Sequence, residues 1–469
     1  MLPPSLRQQI ISLIHREVVP ATGCTEPVAV ALCVARAAEE ACVHATSRDI
    51  ISSVSLRLSG NIIKNAMGVG IPGTGMTGLP VAIALGAFFG RSDRGLEVLS
   101  GASEDIVSHA RAFAADPDAI SIALETAPCD RLHIDATVNT SDGHSARAVI
   151  SGAHTRFVLV ERDGAVILDA RTDYATADSA ADIRLDMATI WDFATTTPAD
   201  EIAFILEARR LNKAAAEQAM IGKYGHQVGR TLHCARQRSI MGDSIFSRIL
   251  SYTSAACDAR MGGAPIPVMS NSGSGNQGIA ATIPVALYAE ETFADENSTI
   301  RALILSHLTA IYIKQNLGRL SALCGCVVAS TGSAAGICYL MGGDFDQVCG
   351  TIKNMAATLT GMICDGAKAS CSLKVTSGVS TAVMSAMIAM EGQTVGSLEG
   401  IVDNDVDRTI ANLTDIGRDA MTQTDAMILN IMTRKSPPPK CWDAINRVRT
   451  ERPGMSSFRP RAPPRRLSQ

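Results

Sequence analysis

The sequence predicts an α+β protein in which an N-terminal α+β region with a small antiparallel sheet is followed by a large all-α domain. Three observations carry this. Segments of alternating polarity rich in β-branched residues are confined to the stretch from Ile50 to Leu168. From Pro198 onward apolar residues instead recur at helical spacing, with caps or terminal glycines. A chain of 469 residues that is 46% apolar has ample material for buried cores and for roughly two or three domains at about 150 residues each. The boundaries read as an α+β domain over 1–195, an all-α domain over 196–433 and a disordered basic tail over 434–469.

In order, Ser5 and Gln8 stand in capping-box spacing, and Leu6, Ile10, Ile11, Ile14 and Val18 follow at helical period, so a helix runs to about Val18 and stops at Pro20. The segment Ala21-Thr22-Gly23-Cys24-Thr25-Glu26-Pro27 is a tight polar turn before a second helix from about Val28 to Ala45, which places Cys24 at a helix start. Strands are predicted at Ile50–Leu58 and in several runs between Ile120 and Leu168, with turns at Ser141-Asp142-Gly143 and Asp163-Gly164. A glycine-rich stretch and helices to Ala115 lie between them. Helices are then predicted within 199–221, 298–318, 345–363 and 403–432. The last segment is rich in Pro and Arg and poor in apolar residues, so Cys441 and Trp442 read as part of a solvated tail.

Composition narrows the function. Net charge is −4, aromatics make up 4%, and no basic stripe with interleaved aromatics appears in the body of the chain, which argues against nucleic acid. Stretches 65–90, 261–289 and 320–343 carry no charge, yet Pro72 and Pro80, or Ser270 to Gln277, or Ser330, Thr331 and Ser333 interrupt them. Such polar clusters are costly in hydrocarbon, so buried helices and glycine loops are expected rather than membrane spans. The count of 13 cysteines leaves at least one outside any intramolecular disulfide scheme. With no apolar leader and small-residue cleavage site at the start, this predicts a reducing cytoplasm in which clustered thiols serve metals or catalysis.

Cys324, Cys364 and Cys371, in LSALCGC and GMICDGAKASC, are the candidate metal ligands. Seven residues of continuous helix would hold Cys364 and Cys371 about 10.5 Å apart, too far for one small cluster. A loop at Asp365-Gly366 is therefore expected to fold the two thiols together. Cys326 would point away from Cys324 on a helix, so only one of that pair should face the site. Cysteines 33, 42, 129, 234, 257, 338 and 349 stand alone and read as buried apolar thiols. Three thiolates on a 4Fe–4S cluster leave one iron open to a substrate oxygen or sulfur, whereas three thiolates and a water would equally make an open zinc site. The trio could also be small core residues.

A second constellation is Ser270-Asn271-Ser272-Gly273-Ser274-Gly275-Asn276-Gln277-Gly278, whose glycine turn at a helix start suits an anion such as a substrate carboxylate. It also matches G-x-G-x-x-G, as do Gly68 to Gly73 and Gly73 to Gly78, but no strand follows Gly278 as a dinucleotide site requires. No nucleotide P-loop occurs. Lys64 and Asn65, with Thr74 in the glycine stretch after them, form a third group of candidate substrate contacts; a lone Lys in this setting is ordinarily solvent-facing.

The segments ATGCTEPVAVAL, NIIKNAMGVGIPGTGMTGLPVA, SAACDARMGGAPIPVMSNSGSGNQGI, LSHLTAIYIKQNLGRLSALCG and GMICDGAKASCSLK, in that order, resemble the L-cysteine desulfidase family, which is related to the alpha chain of iron–sulfur L-serine dehydratases. The resemblance covers nearly all of residues 5–432. It implies that Cys324, Cys364 and Cys371 hold a 4Fe–4S cluster, that Cys24 of the GCTEP motif is the α-proton base, and that the Ser/Gly/Asn loop anchors the substrate carboxylate. The implied reaction is β-elimination of L-cysteine to sulfide, ammonia and pyruvate. The close spacing of the last two cysteines and the lack of a serine-histidine-threonine motif favour L-cysteine over L-serine. A helix N-terminus would lower the Cys24 thiol toward the working range, and Glu26 would oppose that. The partners expected are a small amino acid, no nucleic acid and no membrane, with self-association left open. A cluster-binding sensor without catalysis, or a paralogue without iron, would have no need of Cys24 and the anion loop together.

Overall fold

The computed structural model of the protein describes residues 2–99, 101–171, 183–234, 239–318 and 321–434. The first helix, α1 (Pro4–Glu17), buries Ile10, Leu13 and Ile14. The capping box predicted at Ser5 does not form, because Pro4, with no N–H to satisfy, opens the helix and Pro3 takes the cap position. A three-residue strand, β1 (Pro20–Thr22), leads into α2 (Thr25–Ala41), which begins at Thr25 rather than Val28 because Cys24 is its cap.

The alternating segments form one six-stranded sheet from β2 (Ile51–Leu58), β3 (Ile120–Leu124), β4 (His133–Thr140), β5 (Ser145–Ser151), β6 (Phe157–Arg162) and β7 (Ala165–Asp169), in the order β3-β2-β4-β5-β6-β7. Every neighbour pair is antiparallel except β2 with β3. That pair is parallel because α3 (Gly60–Ala66), α4 (Leu79–Phe88) and α5 (Glu104–Ala115) lie between the two strands and return the chain to the same end of the sheet. Ile134, Ala136, Val138, Ala148 and Ile150 join α2 and α4 in one core, and α2 is apolar nearly all round because it packs against both the sheet and α4.

The rest is helical: α6 (Met187–Thr196), α7 (Leu206–Ile221), α8 (Val228–His233), α9 (Ile245–Met261), α10 (Gly275–Glu291), α11 (Glu296–Leu317), α12 (Gly325–Leu340), α13 (Phe345–Leu359), α14 (Cys371–Met390), α15 (Val406–Asp415) and α16 (Thr422–Thr433), interrupted by the short strand β8 (Pro267–Met269). The charge-free stretch after residue 320 is α12, buried from Cys326 to Cys338 among α10, α11, α13 and α14. Its small residues let those helices close on it. Among the described residues α14 alone is long and apolar enough to cross a membrane, and half of it is buried in protein. Met1–Leu429 form one compact unit with two main cores, the second of which gathers the helices together with α1, Cys24 and Val69. The second unit, Asn430–Gln469, is described to Arg434 and is helical to Thr433. The predicted tail from 435, with Cys441 and Trp442, lies outside the described residues.

Candidate active site

Cys24 sits where the two cores meet. Gly23, at φ 69°, turns the chain so that Cys24 can cap α2 while lying 2% exposed in the helical core. The preceding β1 pairs antiparallel with β8, Pro20 opposite Met269 and Thr22 opposite Pro267, which fastens the Cys24 turn to the loop that follows β8. Ser270 reinforces the join: its backbone N–H and its hydroxyl both donate to the Val19 carbonyl, at 2.8 and 2.6 Å. The Ser272 N–H donates to the Glu17 carbonyl at 2.9 Å.

Most side chains of this loop are engaged in holding it. Asn271 is fully buried, and its amide nitrogen donates to Nδ1 and to the carbonyl of His307 at 3.1 and 3.2 Å, while its oxygen accepts from the Ser272 hydroxyl. His307 reaches the Thr282 hydroxyl through Nε2 at 3.0 Å; burial lowers its pKa to about 3, so it is neutral. Ser274 caps α10 by accepting from the Gln277 N–H. Ser272 and Gly273 adopt φ of 48° and 77°, which turns the chain into the helix. What remains for an anion is the first turn of α10, whose Gly275 and Asn276 N–H groups have no partner within the helix. Of the third predicted group, Thr74 is used by its own turn, donating to the Ile71 carbonyl and accepting from the Met76 N–H. Lys64, expected to face solvent, is 3% exposed and ion-paired with Asp425, because it lies on α3 and α3 is covered. Its neighbour Asn65 lies on the same short helix and is half-buried.

The cysteine loops arrive from the other side. Leu323 bridges Ile363, with the Cys324 N–H donating to the Met362 carbonyl at 2.9 Å and the Cys364 N–H to that of Ala322 at 2.6 Å. This brings the Cys324 and Cys364 thiols into contact. Gly366, at φ 95°, breaks the chain where the sequence places the loop, and a Cβ there would lie 1.9 Å from the Lys64 carbonyl oxygen. Cys371 opens α14, its thiol near the Gly366 carbonyl at 3.6 Å and coupled electrostatically to Cys364, Cys24 and Cys257. Cys326 also meets Cys324, against expectation, because Cys324 is the extended cap of α12 rather than part of it. Cys257 belongs to the same neighbourhood, and Cys129 and Cys234 are exposed, so these three depart from the reading as isolated core thiols. Every described cysteine is free.

Cations surround these thiols. Lys64 and Lys314 act on Cys364, and burial lowers the Lys314 amine to about 8 even though Cys364 and Cys324 favour its charge. Lys368 and Lys374 both bind Asp365. The Arg260 guanidinium lies close to Cys24 and favours its thiolate. Burial nevertheless dominates at Cys24, with Arg260 opposing and Glu26 adding to it, and pushes the thiol up to about 12, the reverse of the expected helix-terminus effect. Cys324 is raised mainly by the adjoining Cys326, Cys364 by Cys324 and burial, and Cys371 by burial. Among the described residues no three His, Cys, Asp or Glu side chains converge on one ion. The donor chemistry, one buried and two partly buried thiols beside several cations, fits a metal–thiolate centre that carries negative charge.

Arg260, His307 and Lys314 are absent from the sequence-derived site. Arg260 and Lys314 had a signal: each is a cation in a helix that is otherwise buried. His307 had none beyond lying in a long motif.

Comparison with known proteins agrees with this architecture. The sequence model of the serine dehydratase alpha chain family matches residues 93–430, and the chain belongs to that family, whose description is of a lyase-type enzyme. Within it, similar relatives each bear the name UPF0597 protein. One from Bacteroides thetaiotaomicron is 57% identical over 431 residues, 92% of this chain and 99% of the relative. One from Porphyromonas gingivalis is 53% identical over 438 residues, 92% and 99% of the two chains. One from Oleidesulfovibrio alaskensis is 45% identical over 438 residues, 93% and 100%.

Proposed function

We propose that this protein is an iron–sulfur-dependent lyase that eliminates the β-substituent of L-cysteine, releasing sulfide, ammonia and pyruvate. The observation that carries the reading is the succession of neighbouring thiols, Cys24 with Cys371, Cys371 with Cys364 and Cys364 with Cys324, flanked by Arg260, Lys64 and Lys314. Cys324, Cys364 and Cys371 would hold a 4Fe–4S cluster. When bound, such a cluster supplies a Lewis-acidic iron toward the departing sulfide.

The protein's own groups account for the remaining demands. The first turn of α10 receives the carboxylate, and the Asn271–His307–Thr282 chain of hydrogen bonds fixes the loop before it. Cys24 Sγ takes the α-proton. As the Cα–H bond breaks, its electron pair forms the Cα–Cβ double bond and the Cβ–S bond releases hydrosulfide; the resulting enamine becomes an imine, which water converts to pyruvate and ammonia. The substrate's α-ammonium, one bond from that carbon, is the cation that makes a thiolate at Cys24 less costly. Exclusion of water by the two cores strengthens each of these interactions. L-serine is the second reading, favoured by the family description. The free thiols also support a reducing, cytoplasmic setting.

The test is anaerobic reconstitution with iron and sulfide, then sulfide and pyruvate assays on L-cysteine and L-serine without pyridoxal phosphate. Brown protein that releases both products from L-cysteine is the expected result. Protein that retains iron yet forms neither product from either amino acid would sink the lyase reading, and pyruvate from L-serine alone would transfer it to the second substrate.

A further inference from the structure

We propose that the site recognises its substrate as a zwitterion: Arg260 binds the α-carboxylate against the N-terminus of α10, and the side-chain carbonyls of Asn276 and Gln277 take the α-ammonium. This rests on the lyase reading for the location of the site but adds the groups that select the substrate class, an α-amino acid with both amine and carboxylate unblocked.

Arg260 ends α9, is 6% exposed, and its Nε has no hydrogen-bond partner among the described residues. It is aimed at the helix start: a Cβ on Gly275 would lie 2.2 Å from that Nε, so the first position of the 17-residue α10 must be glycine for the guanidinium to lie there. A carboxylate at this point meets a charged fork and the positive end of a helix together. Because the Arg260 guanidinium also lies close to the Cys24 thiol, a carboxylate on it sets the adjoining Cα near Cys24.

The acceptors complete the pattern. Asn276 Oδ1 and Gln277 Oε1 are buried without a partner among the described residues, although the Asn276 nitrogen lies 3.4 Å from Met261 Sδ. The Gln277 side chain packs against Gly325, its Cδ 3.1 Å from where a Cβ would stand, next to Cys324. Neither oxygen pairs with Arg260, so the unmet donor and the unmet acceptors are separated. Buried polar groups ordinarily find partners, and three unmet ones on Arg260 and the first turn of α10 mark where a ligand supplies them. A donor fork on the Cys24 side and two carbonyls, one of them on the Cys324 side, match a carboxylate and an ammonium on one carbon. The β-substituent then has the direction of the cysteine loops left to it.

The experiment is calorimetric titration of the reconstituted protein with L-alanine, which has no β-substituent to lose, with L-lactate and with N-acetyl-L-alanine, while sulfide release from L-cysteine is assayed on the same preparations. L-alanine is expected to bind about 10- to 100-fold more tightly than the other two. Arg260→Lys, which keeps the charge but loses the fork, should weaken L-alanine by a similar factor. Gln277→Leu should weaken L-alanine but not L-lactate, a change in preference that mere loosening of the fold would not produce. Equal affinity for L-alanine and L-lactate in the unaltered protein, undiminished L-alanine binding in Arg260→Lys, or no binding of L-alanine at all would overturn the proposal. If sulfide release is absent while the binding pattern holds, the lyase reading fails and the recognition stands; if release proceeds while the pattern is absent, the reverse follows.

Discussion

In the reaction proposed above, Cys24 takes a proton in a place that holds it as a thiol. Burial pushes it up to about 12, so the fraction present as thiolate rises with pH throughout the neutral range. A raised pKa in a base means activity is lost as pH falls, and kcat/KM for L-cysteine should climb roughly tenfold per unit between about pH 6 and 8, below titration of the substrate thiol. A flat profile over that interval would remove Cys24 as the base of the free enzyme. Cys24→Ser should retain iron and lose turnover, since a hydroxyl there is far harder to ionise. Single residues were unevenly legible from sequence. Cys24 stood out through its motif, but its environment did not, because desolvation depends on what the second core lays over it. Lys64 shows the same limit: its exposure is decided by Asp425, whose nearness no local pattern reveals.

At the scale of elements, the loop between Cys364 and Cys371 turns on Gly366. Alanine there must adopt φ 95° and clash with the Lys64 carbonyl, at a cost of about 1–3 kcal/mol if the turn is kept. Gly366→Ala is therefore expected to lower the thermal midpoint and reduce iron and labile sulfide after reconstitution, with both measured on the same sample. Retention of full iron content would show that the loop has another way to present its thiols. The helices and this break were readable because periodicity and glycine act locally. Helical spacing does not carry across a cap, so it does not place Cys326 relative to Cys324, and Pro4 competes for the first helical position, so no cap forms at Ser5.

The whole molecule depends on contacts between segments far apart in the chain. Lys64 on α3, packed with the sheet core, pairs with Asp425 on α16. Asp425→Ala leaves a buried ammonium without its partner and should cost about 3 kcal/mol, read from the urea midpoint. The pair of substitutions Lys64→Met and Asp425→Leu should recover much of that loss, since a matched apolar pair has no charge to desolvate. Full additivity of the two single changes would mean the ion pair is not what couples them. The sheet was visible in sequence as alternation, whereas its parallel edge was not, since strand direction is set by the connection rather than by the strand.

The smallest sheet has a consequence for how the protein comes into being. Pro20 and Met269 lie about 250 residues apart in the chain, and β1 is held to β8 by three residue pairs and the bonds of Ser270 and Ser272 beside them. So few hydrogen bonds cannot offset the entropy of closing a loop that long, so the join forms only after both surrounding cores have condensed. Maturation of the surroundings of Cys24 is thus the last act of folding, and the chain passes through states already compact in which this thiol is still open to alkylating reagents.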